Sequence, residues 1–164
     1  MTRYEHVMET RSDTPMTAAS DALARRIAET LMAREGTAPA WGLVLEEARA
    51  GYARVRMTVR DDMLNGHRTA HGGMIFALAD SAFAYACNSH NRTTVAQGSS
   101  ILFLAPVQPG EELIAEARET ALAGRSGAYA IEVRAGDGRI VAQLQCLSRT
   151  VGGAIVTDEE NNHG

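Results

Sequence analysis

Residues 65–88 read NGHRTAHGGMIFALADSAFAYACN, and the fold turns on how Asp80 within that stretch is read. From Gly72 onward, small and large apolar residues recur at helical spacing, which predicts a buried helix. The residues that share the face of Asp80, three, four and seven positions away, are Gly73, Phe76, Ala77, Phe83, Ala84 and Cys87. None is basic, and none donates a side-chain hydrogen bond of any strength. An unpartnered buried carboxylate costs on the order of several kcal/mol, so Asp80 must find donors elsewhere or face a cavity. Bonding to a neighbouring strand, or exposure at an edge, is the structural alternative to a functional role.

The helix opens on His71-Gly72-Gly73. Two glycines weaken a first turn but let another group approach the backbone closely. The first N–H groups of a helix have no intrahelical partner, and no Ser, Asp or Asn immediately precedes Gly72 to take them. Free amides at a helix N-terminus favour developing negative charge, as in an oxyanion hole. Tight packing against a strand would account for the glycines equally well. Gly72 and Asp80 are eight residues apart, about 12 Å along one helix at 1.5 Å per residue. A reacting carbonyl needs its oxyanion donor and its attacking group both roughly 3 Å away. One helix cannot supply both, whereas two antiparallel copies can. A site of this kind therefore implies at least a dimer with two equivalent sites.

Working outward, residues 1–18 are polar and patternless and are expected to form a flexible lead, with one domain over 19–153 and a frayed tail over 154–164. SDALARRIAETLMARE predicts a capped amphipathic helix with Leu23, Ile27 and Leu31 on one side. WGLVLEEARAGYARVRMTVR predicts two short strands, the second alternating Ala53, Val55, Met57 and Val59 with polar neighbours. After the central helix, four further period-two segments follow. Pro109-Gly110 and Asp137-Gly138 mark turns between them. Hairpins around one nearly all-apolar helix give an α+β fold, a curved sheet wrapped on that helix. Strand order is not legible from periodicity.

Composition narrows the chemistry. Of 164 residues, 45% are hydrophobic and 22% charged, with a net charge of -4, which gives nucleic acid and anionic membranes no electrostatic purchase. All 16 basic residues are arginine, so Schiff-base chemistry and a lysine-bearing phosphate loop are excluded. The N-terminal stretch lacks an apolar core, which argues against export and for a cytoplasmic protein. Cys87 and Cys146 both lie on apolar patterns and are expected to be buried thiols. His67 and His71 have a ligand-like spacing but no third ligand nearby, so no metal is expected. Asn65-Gly66 reads as a turn, or its amide could orient water or polarise a carbonyl.

The block MLNGHRTAHGG…LADSAFAYACNS resembles the hotdog-fold acyl-CoA thioesterases, in particular the phenylacetic acid degradation type. The spacing is specific: an Asn six residues before His-Gly-Gly and an Asp nine after that His. The resemblance runs from near Trp41 to SRTVGG. It implies a central helix wrapped by an antiparallel sheet, dimers with shared sites, and pairing of dimers into a homotetramer. It assigns the acidic role to Asp80, the oxyanion amide to Gly72, and assisting roles to Asn65 and His71. Coenzyme A contacts are implied for Phe103, Leu104 and Pro106, and for the turn Gly124, Arg125, Ser126 and Gly127. Arg125 and Arg149 are the phosphate candidates. Some relatives carry a polar residue where this chain has Ala96, so no catalytic hydroxyl is assigned there. The implied activity is hydrolysis of an acyl-CoA ester without a cofactor, with phenylacetyl-CoA or its ring-hydroxylated forms as substrate. Selectivity would depend on pocket shape around residues such as Phe83. A non-catalytic acyl-CoA binding module would have no use for Asp80, and a thioester dehydratase would need a differently placed His.

Overall fold

The structure is a computed structural model that describes residues 18–157. The expected lead up to residue 17 and the tail beyond 157 lie outside the described residues. Helix α1 spans Ala18–Arg34, α2 Thr37–Trp41 and α3 Gly72–Asn88. The strands are β1 Val44–Arg49, β2 Tyr52–Thr58, β3 Thr94–Phe103, β4 Glu112–Ala123, β5 Ser126–Ala135 and β6 Ile140–Thr150. They form one antiparallel sheet in the order β1-β2-β4-β5-β6-β3, curled around α3. This is the α+β arrangement that the hydrophobic periods predict.

The second strand shows why the periods work. Ala53, Val55, Met57 and Val59 are all buried, while Arg54 and Arg56 reach outward to Glu46, Glu112 and Glu116. The α3 residues Ile75, Leu78, Ala79, Ala82, Phe83 and Ala86 fill the concave side of the sheet. Removing one such large side chain, Leu78 for instance, costs about 2–5 kcal/mol through lost burial and the cavity left behind. Phe83 is 1% exposed and meets Tyr129 edge-to-face with ring centroids 5.2 Å apart. It is therefore a core residue of this chain rather than a pocket wall, contrary to expectation.

Three local differences from the sequence reading have physical causes. Trp41 closes the short helix α2 instead of opening a strand, because Gly42 caps that helix in the left-handed conformation (φ 68°). Helix α1 starts two residues before Ser20, so Ser20 lies within its first turn. The segment after Phe103 is irregular, so of residues 103–108 only Phe103 belongs to a strand.

β3 and β4 are neighbours in sequence but not in the sheet. β3 pairs with β6 at the far edge, and its other edge has no strand beside it among the described residues. The carboxamide of Asn88, at the last turn of α3, anchors the start of β3. Its Oδ1 accepts from Thr94 N at 2.9 Å, and its Nδ2 donates to Thr94 O at 2.9 Å and to Ala84 O at 2.9 Å. Residues 155 and 156 are tied to the turn between α3 and β3 through Asn91, whose Oδ1 accepts from the amides of Ile155 and Val156.

Candidate active site

The chain enters α3 through a tight turn organised by Asn65. Its backbone N–H donates to Thr69 O at 2.8 Å, and its side-chain Oδ1 accepts from the N–H groups of His67 at 2.9 Å and Thr69 at 3.2 Å. Its Nδ2 donates to Thr69 Oγ1 at 3.0 Å. Arg68 takes a left-handed φ of 63° to close the loop. Two backbone bonds then set the start of the helix, Ala70 N to Val107 O and His71 N to Met63 O, each 2.8 Å.

His71 supplies the cap that no Ser, Asp or Asn could. Its backbone is extended and its Nδ1 accepts from Gly73 N at 2.9 Å, so that ring nitrogen carries no proton. Gly72 N–H is left with no acceptor among the described residues, at the positive end of the helix dipole. It faces a cleft of about 390 Å³ lined by Asn65, Ala70, Gly72, Ile75, Phe103 and residues 104–106. That size suits a small-molecule group. The Phe103 ring lies directly on Gly72, and a Cβ there would come within 3.0 Å of the ring. Both readings of this glycine hold at once: it admits a close neighbour and it leaves a free amide.

Asp80 lies just over two turns further along α3. It is half-buried, and no hydrogen bond or ion pair to it occurs among the described residues. Burial pushes its carboxyl above the usual carboxylate range, with no donor to offset it. The carboxylate is felt at two thiols. Cys87 is pushed up to about 12, first by burial and then by Asp80. Cys146 on β6 is raised by burial foremost, with Asp80 adding to it and the Ser99 hydroxyl of β3 opposing it. Asp80 thus acts on β6, the strand that pairs with β3.

The second group of expected contacts sits elsewhere. Gly124, Arg125, Ser126 and Gly127 border a smaller cleft with His90, Arg92, Tyr129 and Ser148. Arg125 Nε donates to Thr150 O at 3.0 Å, and Arg149 Nη1 lies 3.5 Å from Ser126 Oγ. Gly127 cannot be replaced without movement, since a Cβ would come within 2.7 Å of Ser148 Oγ. Arg149 pairs with Val95 at the start of β3, whereas Phe103 pairs with Ala142 at its end. Eight residues of strand separate the two groups by about 26 Å. One chain thus brings together Gly72, Asn65, Phe103, Leu104 and Pro106, but sets Arg125 and Arg149 at the opposite end of the sheet edge.

Comparison with known proteins decides what this arrangement belongs to. The family described as "Thioesterase superfamily" matches residues 67–142. The acyl-coenzyme A thioesterase PaaI of Escherichia coli is 39% identical over 128 residues, covering 78% of this chain and 91% of that protein. The chain belongs to the thioesterase superfamily. The solved structure of E. coli PaaI superposes with a TM-score of 0.81 at 38% identity, covering 83% of this chain and 99% of that one. The phenylacetic acid degradation protein PaaI of Thermus thermophilus, solved as a mutant, matches with a TM-score of 0.69 at 35% identity over 71% of this chain and 100% of that one. The sheet wrapped on α3 is therefore the hotdog fold, and the activity is hydrolysis of acyl-CoA thioesters.

For this thioesterase, some of the local framework was hidden in the sequence. Thr69 holds the Asn65 carboxamide from both ends, and a threonine four residues after an Asn gives no motif. Ala70 and Ile75 line the cleft, but they read as core. His71, expected to support the loop and the helix start rather than to act as a base, does so by a ring nitrogen that accepts from Gly73 N.

Proposed function

We propose that the thioesterase works as a homodimer, joined along the β3 edges, with each site built from Gly72 of one subunit and Asp80 of the other. One observation carries this reading: Asp80 is an ionisable, half-buried group with no donor among the described residues, on a helix whose sheet ends at an unpaired β3 edge. An antiparallel copy brings a second α3 alongside, so the offset of about 12 Å between Gly72 and Asp80 is cancelled by the opposite direction of the partner helix. The same operation carries the Arg125–Arg149 end of the partner toward the cleft at Gly72.

In this arrangement Gly72 N–H and the helix dipole hold the thioester oxygen as it gains charge. Asp80 of the partner subunit acts as general base on water or attacks the carbonyl to give a mixed anhydride. In either route the C–S bond breaks, coenzyme A leaves as thiolate, and water supplies the acid's second oxygen. Asn65 positions water or carbonyl from its braced turn, and His71 keeps the helix start open for Gly72. Phe103, Leu104 and Pro106 border the thioester arm, while the 124–127 turn, Arg125 and Arg149 face the coenzyme phosphates. Arylacetyl-CoA, including phenylacetyl-CoA and its ring-hydroxylated forms, is the substrate class, by analogy with the E. coli relative from the phenylacetic acid degradation operon. We place the enzyme in the cytoplasm, with dimers pairing into tetramers. No cofactor takes part.

Subunit mixing tests the shared site. Asp80→Asn and Gly72→Val subunits, each inactive alone, are unfolded together and reassembled. Half of the dimers are then mixed and each carries one intact site, so about a quarter of wild-type activity returns. No recovery, with mixed dimers demonstrated by mass spectrometry, refutes the shared site. A panel of aryl- and alkyl-acyl-CoA esters tests the substrate class.

A further inference from the structure

The wall of the thioester cleft, residues 104–106, has no regular structure of its own, yet it is held from several directions. Leu104 and Ala105 donate to the same carbonyl, Val141 O, at 2.8 and 3.3 Å. Arg139, just before β6, closes over the segment from the other side. Its Nη1 donates to Pro106 O at 2.6 Å and its Nη2 to Glu111 Oε1 at 2.6 Å. Glu111 in turn accepts from the backbone N–H of Gln108 with its second oxygen. Asp137 fixes the base of the arginine, accepting from Arg139 N at 3.0 Å. One guanidinium therefore ties the β5–β6 hairpin turn to both ends of residues 106–108. A planar fork with separate donors can do this, and a single ammonium cannot.

We propose that Arg139, with Glu111, is a positioning residue that sets the depth of the acyl-CoA cleft by latching Pro106 to the β5–β6 turn. The proposal rests on the reading of that cleft as the thioester site. Arg139 touches no reacting atom. Gly72 keeps one anchor outside the latch, His71 N to Met63 O, while Ala70 N to Val107 O joins the helix start to the latched segment, so the latch governs the wall directly and the oxyanion donor only through Val107. A wall that meets substrate before and during the reaction contributes to binding equally in both states, and its loss appears in KM rather than kcat.

Arg139→Ala, Arg139→Lys and Glu111→Gln would be compared with wild type by steady-state kinetics on arylacetyl-CoA and by hydrogen exchange. Arg139→Ala is expected to raise KM roughly tenfold with kcat within about twofold, because a wall displaced by a fraction of an ångström loses contacts without losing chemistry. Arg139→Lys recovers part of that loss, since lysine can hold Pro106 O or Glu111 but not both, and Glu111→Gln falls between. The Leu104 and Ala105 amides exchange faster in Arg139→Ala while β5 amides do not. A merely structural arginine would instead lower the melting temperature and the active fraction, with KM unchanged. That result, or unchanged exchange at Leu104 and Ala105, overturns the latch. Wild-type protein that turns over no acyl-CoA ester overturns the reading of the cleft instead, and the exchange data still decide whether the latch exists.

Discussion

Replacing Gly72 with alanine separates stability from catalysis, because the two effects have different origins in the same atom. The new Cβ would lie 3.0, 3.3 and 3.4 Å from Cζ, Cε1 and Cε2 of Phe103. Ordinary carbon contacts sit at about 3.5–4.0 Å, so the ring must retreat by roughly 0.5 Å. It can do so, since Phe103 is 48% exposed. The helix gains from alanine over glycine by at most about 1 kcal/mol, which offsets a strain of similar size. The melting temperature is thus expected to stay within about 4 °C of wild type. Activity fares worse. A misplacement of 1 Å in a reacting geometry costs about a hundredfold, so half of that costs roughly tenfold in kcat/KM. The assay is release of free coenzyme A thiol from arylacetyl-CoA, with melting and oligomeric state measured on the same samples. Phe103→Leu in the Gly72→Ala background makes room and should return most of the lost activity, a coupling visible as non-additivity in the double-mutant cycle. Equal losses from Gly72→Ala in the two backgrounds would refute the steric argument, and full activity in the single variant would refute the close approach itself.

Other expectations follow from the charges and the turn. Asp80→Asn should reduce kcat/KM by at least about a hundredfold while the subunits remain assembled; retention of activity in size-checked protein removes Asp80 from the chemistry. Because burial raises the Asp80 carboxyl, the acid limb of the kcat/KM profile should lie above the ordinary aspartate value of about 3.9, with activity falling as pH drops through it and the group protonates. The stability sign runs opposite to that of activity. A raised folded-state pKa gives stability that is full below the unfolded value and lost as pH rises through the folded one. Asp80→Asn is thus expected to melt no lower than wild type at pH 7, and thermal melts across pH check this. Cys87, pushed up to about 12, should resist alkylation at pH 8 in the native protein and react only on unfolding, as followed by mass spectrometry. Asn65→Ala removes the acceptor of the His67 and Thr69 amides, which water can partly replace, and is expected to cost about 0.5–1.5 kcal/mol, measured by denaturant unfolding, together with a loss of activity.

The strand pairing shows where reading along the chain stops. Each of the six strands was visible as a strand segment, five of them by a period of two, and the turn at Gly138 was visible as Asp-Gly, with the positive φ of 88° that such a turn requires. Nothing in TTVAQGSSILFLAP says that it crosses to the far edge beside β6 instead of pairing with the strand that follows it. The pairing of β3 with β6 is a long-range choice, and Asn88 supports it locally by joining the end of α3 to Thr94 at the start of β3. Trp41 marks a similar limit, since five residues of helix before a left-handed glycine leave too short a pattern to detect.

The sequence by itself determined the local periods, and with them an apolar central helix, an antiparallel sheet, and the anomaly of Asp80. It also determined the fixed distance between Gly72 and Asp80, because helix rise is a property of the backbone and needs no tertiary information. Only the tertiary structure decided that His71 caps the helix and leaves Gly72 N–H free, that Phe103 lies on that glycine, and that β3 stands at an unpaired edge of the sheet. These are contacts between segments remote in sequence, or choices among donors that compete for one acceptor. They are settled by which groups the fold brings within hydrogen-bonding distance.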